Sequence, residues 1–130
     1  MRVYLDASPI IYLVEQVAPF MARVLARLTA PNIVVVSSDL ARMEALVKPL
    51  RNKDAALVQN FDSFFVAQVA HMVPLGQAVF RQAAEIRAEH KFRTPDALHL
   101  AAALAAACDT LLTNDAALKA FPGITVEVVS

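Results

Sequence analysis

Short apolar runs rich in β-branched residues alternate along this chain with longer segments rich in alanine and leucine, and that alternation leaves few folds open. Residues 3–6, 33–38, 71–75, 109–113 and 124–129 read as strands. Residues 9–15, 18–28, 39–50, 54–68, 77–90 and 95–107 read as helices. The second run, Ile33-Val34-Val35-Val36-Ser37-Ser38, is almost continuously apolar, the pattern of a strand buried on both faces. Strands separated by helices predict an α/β fold, with helices on both faces of a parallel sheet of four to five strands. The stretch 48–54, which contains Pro49, reads as a break between helices rather than a domain boundary, so residues 1–130 are expected to form a single domain.

Four carboxylates lie at or just past these runs. Asp6 ends MRVYLD, Glu44 follows the second run, Asp96 sits in TPDALH and Asp115 ends TLLTND. Parallel strands deliver their C-terminal ends to one edge of the sheet, where ligands bind. Acids gathered there repel one another unless a positive charge sits among them, and a hard divalent cation with oxygen ligands is the simplest resident.

Each motif also has a purely structural account. In Asp6-Ala7-Ser8-Pro9, Asp and Ser favour a helix N-cap and Pro9 suits the first turn, so Ser8 can cap while Asp6 ligates. Thr94 can cap the helix that follows it, with Asp96 favoured by the helix dipole. That helix is almost wholly apolar, so it would hold Asp96 rigidly. His99, three residues after Asp96, reads as a packed histidine bonded to backbone, because hard-cation sites prefer oxygen. Asn114 can cap a helix beginning near Asp115. Glu44, Lys48 and Arg51 fall at i, i+4 and i+7. They form either a solvated face with a Glu44–Lys48 pair, contributing about 0.3–0.5 kcal/mol, or an inward Glu44 with Lys48 and Arg51 offered to phosphates. Arg42, Lys53, Arg87, Lys91 and Arg93 would extend such a patch.

Composition narrows the function classes. Hydrophobic residues make up 58% of the 130 and charged residues 18%, an apolar balance that predicts a surface partly covered by a partner. Net charge is formally zero, so binding to nucleic acid would need a local basic patch. With only Gly76 and Gly123, neither a Walker loop nor a dinucleotide glycine fingerprint is possible. The lone Cys108 allows no internal disulfide and fits a reducing compartment. The first strand begins at once and carries Asp6, which reads as no signal peptide, and the apolar stretch 100–108 is too short to span a bilayer. A cytoplasmic protein without a membrane association is expected.

Together the motifs resemble the PIN-domain family, and within it the VapC-type toxins of toxin–antitoxin pairs. The resemblance covers almost the whole chain and rests on VYLDASPIIYL, VVVSSDLARMEAL, RTPDALHLAAALAAACDTLLTND and FPGITVEVV, the third being the most specific. It implies a three-layer α/β/α sandwich. It also implies an acidic quartet at Asp6, Glu44, Asp96 and Asp115, supported by hydrogen bonds from Ser8, Thr113 and Asn114. The implied activity is a Mg²⁺- or Mn²⁺-dependent endoribonuclease. Asp6, Asp96 and Asp115 would be direct or water-mediated ligands, and Glu44 would bind through water or orient the nucleophile. The implied partners are an RNA substrate, a cognate VapB-like antitoxin and a second copy in a homodimer. The candidate RNA contacts Arg42, Lys48, Arg51 and Arg93 come from spacing alone.

Rival α/β readings fit less well. A haloacid-dehalogenase-like phosphatase needs a second Asp two residues after the first, where Ser8 stands. A receiver domain needs adjacent acids near strand one and a late lysine in an arrangement absent here. A PIN-like RNA-binding or scaffolding module without cleavage is the alternative from another class, and metal-dependent cleavage separates the two.

Overall fold

The computed structural model describes residues 1–130. Its strands are β1 (Arg2–Leu5), β2 (Val34–Ser38), β3 (His71–Val73), β4 (Thr110–Thr113) and β5 (Thr125–Val128). Its helices are α1 (Ala7–Val14), α2 (Phe20–Leu28), α3 (Asp39–Arg51), α4 (Ala55–Ala67), α5 (Gln77–Glu89) and α6 (Thr94–Ala105), with a short 3₁₀ helix at Ala116–Ala120. The strands form one five-stranded sheet in the order β3-β2-β1-β4-β5, and all neighbours run parallel. The expected α/β/α sandwich is the observed fold.

Strand periodicity sorts the core into two layers. Tyr4, Val36 and Leu111 point to one face and join Val79, Ala83 and Ile86 of α5 and Leu100 of α6. Val3, Leu5 and Leu112 point to the other and join Ile10, Val24, Ala45, Phe61 and Phe65 from α1 to α4. Alternate residues of a strand face opposite sides, so β1 supplies both cores. Helix α6 is buried from Ala97 to Ala103, and its alanines leave room for close approach to both the sheet and α5.

Strand order reverses about β1. From β1 the chain builds outward through β2 to β3, then returns to the other side of β1 for β4 and β5. Ligands of open α/β sheets bind at such a switch point, beyond the carboxyl ends of the strands. The C-terminal ends of β1 and β4, which carry Asp6 and Thr113–Asp115, meet there.

Local differences from the sequence reading have local causes. Pro49 lies inside the last turn of α3, and the break falls later, at Asn52–Lys53–Asp54, where Lys53 adopts a left-handed φ of 53° and Asp54 caps α4. A proline near a helix end removes only one ladder bond. Strand β3 stops at Val73 because Pro74 has no N–H to donate.

Candidate functional site

The end of β1 becomes the start of α1 without a loop, and Asp6 is the hinge. Its carboxylate caps α1 by accepting the Ser8 N–H at 3.2 Å. The cap is therefore Asp6, and Ser8 stands within the first turn. Ser8 Oγ donates to Asp6 Oδ1 at 2.9 Å and accepts the Asn114 N–H at 3.0 Å. Thr113 Oγ1 donates to Asp6 Oδ2 at 2.5 Å and accepts the Asp115 N–H at 3.1 Å. Two hydroxyls thus clamp one carboxylate and tie the segment after β4 to it. Asn114 takes part through its backbone, and its side-chain amide donates to Tyr12 Oη.

Burial pushes the Asp6 carboxyl above its ordinary range, against the opposing pull of the Thr113 hydroxyl, the nearby His99 and the Ser8 donors. A carboxylate in this condition stabilises any cation placed beside it.

Asp115 caps the 3₁₀ helix by accepting the Ala117 N–H at 2.9 Å, a role the sequence assigned to Asn114. Helix α6 begins one residue earlier than expected. Thr94 is its first residue rather than its cap, and its hydroxyl accepts from Arg87. Asp96 consequently sits in the first turn, where the helix dipole favours it. Asp96 and Asp115 line one cavity of about 400 Å³, whose wall carries His90, Lys91, Phe92 and Arg93.

Glu44 turns inward. Its Oε1 lies 2.5 Å from His99 Nε2, and no Glu44–Lys48 pair forms. His99 is bonded to side chains rather than backbone, because its Nδ1 meets Tyr4 Oη at 2.7 Å. Sequence reasoning missed this link, together with Tyr4 and Ser38, whose hydroxyls meet at 2.7 Å. Two signals were available. Tyr4 shares a strand face with Asp6 by period two, and His99 shares a helix face with Asp96.

The basic candidates divide. Lys91 and Arg93 stand at the cavity that holds Asp96 and Asp115, and Arg93 Nε approaches Asp96 Oδ2 at 3.6 Å. Arg42 is engaged by Asp62 of α4 at 2.8 Å. Lys48 and Arg51 are exposed and pair with none of the four acids, and Arg51 lies roughly 10 Å further along α3 than Glu44.

The donor set is all oxygen, which suits a hard cation. No three Asp, Glu, His or Cys side chains converge into a ready cage.

The family model described as PIN domain matches residues 3–124. No curated protein sequence matches the chain. Among solved structures, VapBC2 from Rickettsia felis bound to a DNA fragment from its promoter superposes with a TM-score of 0.80 at 19% identity, covering 100% of both chains. Mycobacterium tuberculosis VapC20, described as a Sarcin-Ricin loop cleaving toxin, superposes at 0.76 with 15% identity over 95% of this chain and 96% of that one. VapBC-1 from nontypeable Haemophilus influenzae gives 0.74 at 18% identity over 98% of each.

Proposed function

This chain belongs to the PIN-domain family, and from that premise we propose that it is a metal-dependent endoribonuclease, a VapC-type toxin restrained by a VapB-like antitoxin. The observation that carries the reading is the Asp6 clamp. A half-buried carboxylate at the topological switch point is gripped by Thr113 and Ser8 and held above its ordinary pKa range. Capping α1 needs one of its oxygens, and the second hydroxyl fixes the other as a ligand would need it.

In this proposal Asp6, Asp96, Asp115 and Glu44 would hold Mg²⁺ or Mn²⁺, directly or through water. Bound there, one or two ions would activate water and neutralise charge on the phosphate. The chain's own contribution is preorganisation. Thr113 and Ser8 fix both Asp6 oxygens, so that carboxylate cannot swing when substrate arrives. Helix α6, buried along most of its length, fixes Asp96. Asp115 is anchored to the same hydroxyl that holds Asp6. Lys91 and Arg93 supply cations on the cavity wall for the phosphate backbone on either side of the scissile bond. Attack by water at phosphorus leaves a 5′-phosphate and a 3′-hydroxyl, and a 2′,3′-cyclic phosphate product would overturn this chemistry.

The partner reading is supported by the antitoxin complexes among the structural relatives. An exposed apolar stripe on α3, formed by Met43, Val47 and Leu50 at i, i+4 and i+7, offers cover to another chain. Homodimerisation is proposed on the same stripe, and sedimentation of the isolated chain tests it. No helix is long and apolar enough to cross a membrane.

The test of function is incubation with total cellular RNA plus Mg²⁺ or Mn²⁺, beside EDTA and Asp6→Asn controls, with cleavage ends mapped by sequencing. Discrete cuts confined to metal-supplied wild type are expected. Metal binding without cuts would move the reading to a non-cleaving RNA-binding module.

A further inference from the structure

Glu44 and the start of its own helix are joined by a closed circuit of buried hydrogen bonds that runs through two other elements. The backbone N–H of Ala41 donates to Ser38 Oγ at 3.4 Å, the N-cap bond of α3. Ser38 Oγ meets Tyr4 Oη of β1 at 2.7 Å, Tyr4 Oη meets His99 Nδ1 of α6 at 2.7 Å, and His99 Nε2 meets Glu44 Oε1 of α3.

With the ring neutral, one arrangement of protons satisfies every member. An ionised carboxylate only accepts, so His99 Nε2 must donate. If the ring is neutral, Nδ1 accepts from Tyr4, Tyr4 accepts from Ser38, and Ser38 accepts from Ala41. All protons then point one way, from the α3 backbone round to the Glu44 carboxylate. Burial holds the Tyr4 phenol far above its ordinary range, so it keeps its proton to donate.

We propose that His99 is a positioning residue, held through Nδ1 by Tyr4 and Ser38, whose Nε2–H presents Glu44 to the acidic edge with one oxygen committed and the other free. His99 is 3% exposed, and Glu44, to which it is bonded, has a side chain that is 32% exposed. The free Oε2 makes no bond to protein. An arm fixed through one oxygen keeps the lone pairs of the other oxygen, in a fixed orientation, for a cation or its water. The device rests on the metal-site reading above and assigns Glu44 its geometry within it. Orienting partners of this kind typically change metal affinity by about 10–100-fold when removed.

Two measurements on the full chain separate the device from that reading. Long-range ¹H–¹⁵N correlation of the imidazole reports the tautomer directly and needs no metal. Wild type is expected to show a proton held on Nε2 by Glu44, and Tyr4→Phe is expected to lose or weaken that signal. Calorimetric titration with Mn²⁺ alone then compares wild type with Tyr4→Phe, His99→Leu and His99→Gln. About 10–100-fold weaker Mn²⁺ binding is expected for His99→Leu. Recovery is expected for His99→Gln, whose amide restores a donor to Glu44, and circular dichroism checks that each variant folds. An unprotonated Nε2 in wild type, or equal Mn²⁺ affinity in folded His99→Leu, overturns the device and leaves the nuclease reading standing. Failure of His99→Gln to bind better than His99→Leu also overturns it. Absence of Mn²⁺ binding by wild type overturns the metal reading and the role of Glu44 with it, whatever the tautomer. If His99→Leu does not fold, Tyr4→Phe decides: wild-type tautomer and affinity there overturn the proposal.

Discussion

Replacing Thr113 by valine tests how the acidic edge is held. Thr113 is fully buried and its hydroxyl makes two bonds, donating to Asp6 Oδ2 and accepting the Asp115 N–H. A bond to a charged acceptor contributes about 1.5–3 kcal/mol and a neutral one about 0.5–1.5 kcal/mol. The added methyl group returns about 0.8 kcal/mol. The net loss is about 2–3 kcal/mol at neutral pH, and with about 4 °C per kcal/mol for a chain of this size the melting temperature drops roughly 8–12 °C. The pH dependence is the sharper part. Thr113 is the strongest pull against the rise that burial imposes on Asp6. A carboxyl raised in the folded state makes the native protein hold more protons than the unfolded chain between the ordinary carboxylate value and the raised one. Stability therefore falls as pH climbs through that window, and the full cost of the buried charge is carried above it. Valine raises Asp6 further and widens the window. The deficit of Thr113→Val is thus largest near pH 8 and shrinks as Asp6 protonates. Urea unfolding followed by far-UV circular dichroism from pH 4.5 to 8 measures it. A deficit that stays constant with pH, or grows toward acid, would refute the view that the hydroxyl serves the Asp6 charge.

Asp6→Asn removes the buried charge while keeping an oxygen for Thr113, so the metal-free variant is expected to melt higher than wild type at pH 8. Mn²⁺ at 100 times its Kd should stabilise wild type by about 2.7 kcal/mol and leave this variant unmoved, as read by scanning fluorimetry. Arg27 grips both oxygens of Glu127 at 2.7 and 2.9 Å, joining α2 to β5. The pair is partly exposed, so Glu127→Gln should cost about 1 kcal/mol in low salt and visibly less in 1 M salt. Burial pushes the Cys108 thiol up to about 11. Alkylation by iodoacetamide at pH 8 should therefore run roughly a hundred-fold slower than for a free cysteine peptide, and equal rates would contradict the burial.

What the sequence made legible was governed by short-range rules. Strand-terminal Asp6 and Asp115 were visible because period-two apolar runs end at them, and the α/β class followed from alternation of element types. Cap identities slipped by one or two residues for a physical reason. Asp6 and Ser8 are both good caps, and the choice between them was made by a third party, the Asn114 N–H that occupies Ser8 Oγ. His99 was misassigned because its partners lie 95 and 55 residues away, and only the packing of α6 against β1 and α3 brings them together. The division of the basic residues was equally hidden. Arg42 and Arg93 look alike in sequence, yet one is held by α4 and the other stands at the cavity with two of the acids.

The central position of β1 has a consequence for biosynthesis. The strand made first needs β4 as its neighbour, and Asp6 receives its Thr113 hydroxyl from 107 residues further along. At about 5–20 residues per second, a ribosome takes roughly 5–20 s to supply that partner. Until then the α1–α4 layer can assemble on β1 and β2, but the edge carrying Asp6 lacks the Thr113 half of its clamp, its neighbouring strand and two of its acids. The acidic edge is therefore completed late and all at once, in a molecule that already presents most of its surface to whatever will bind it.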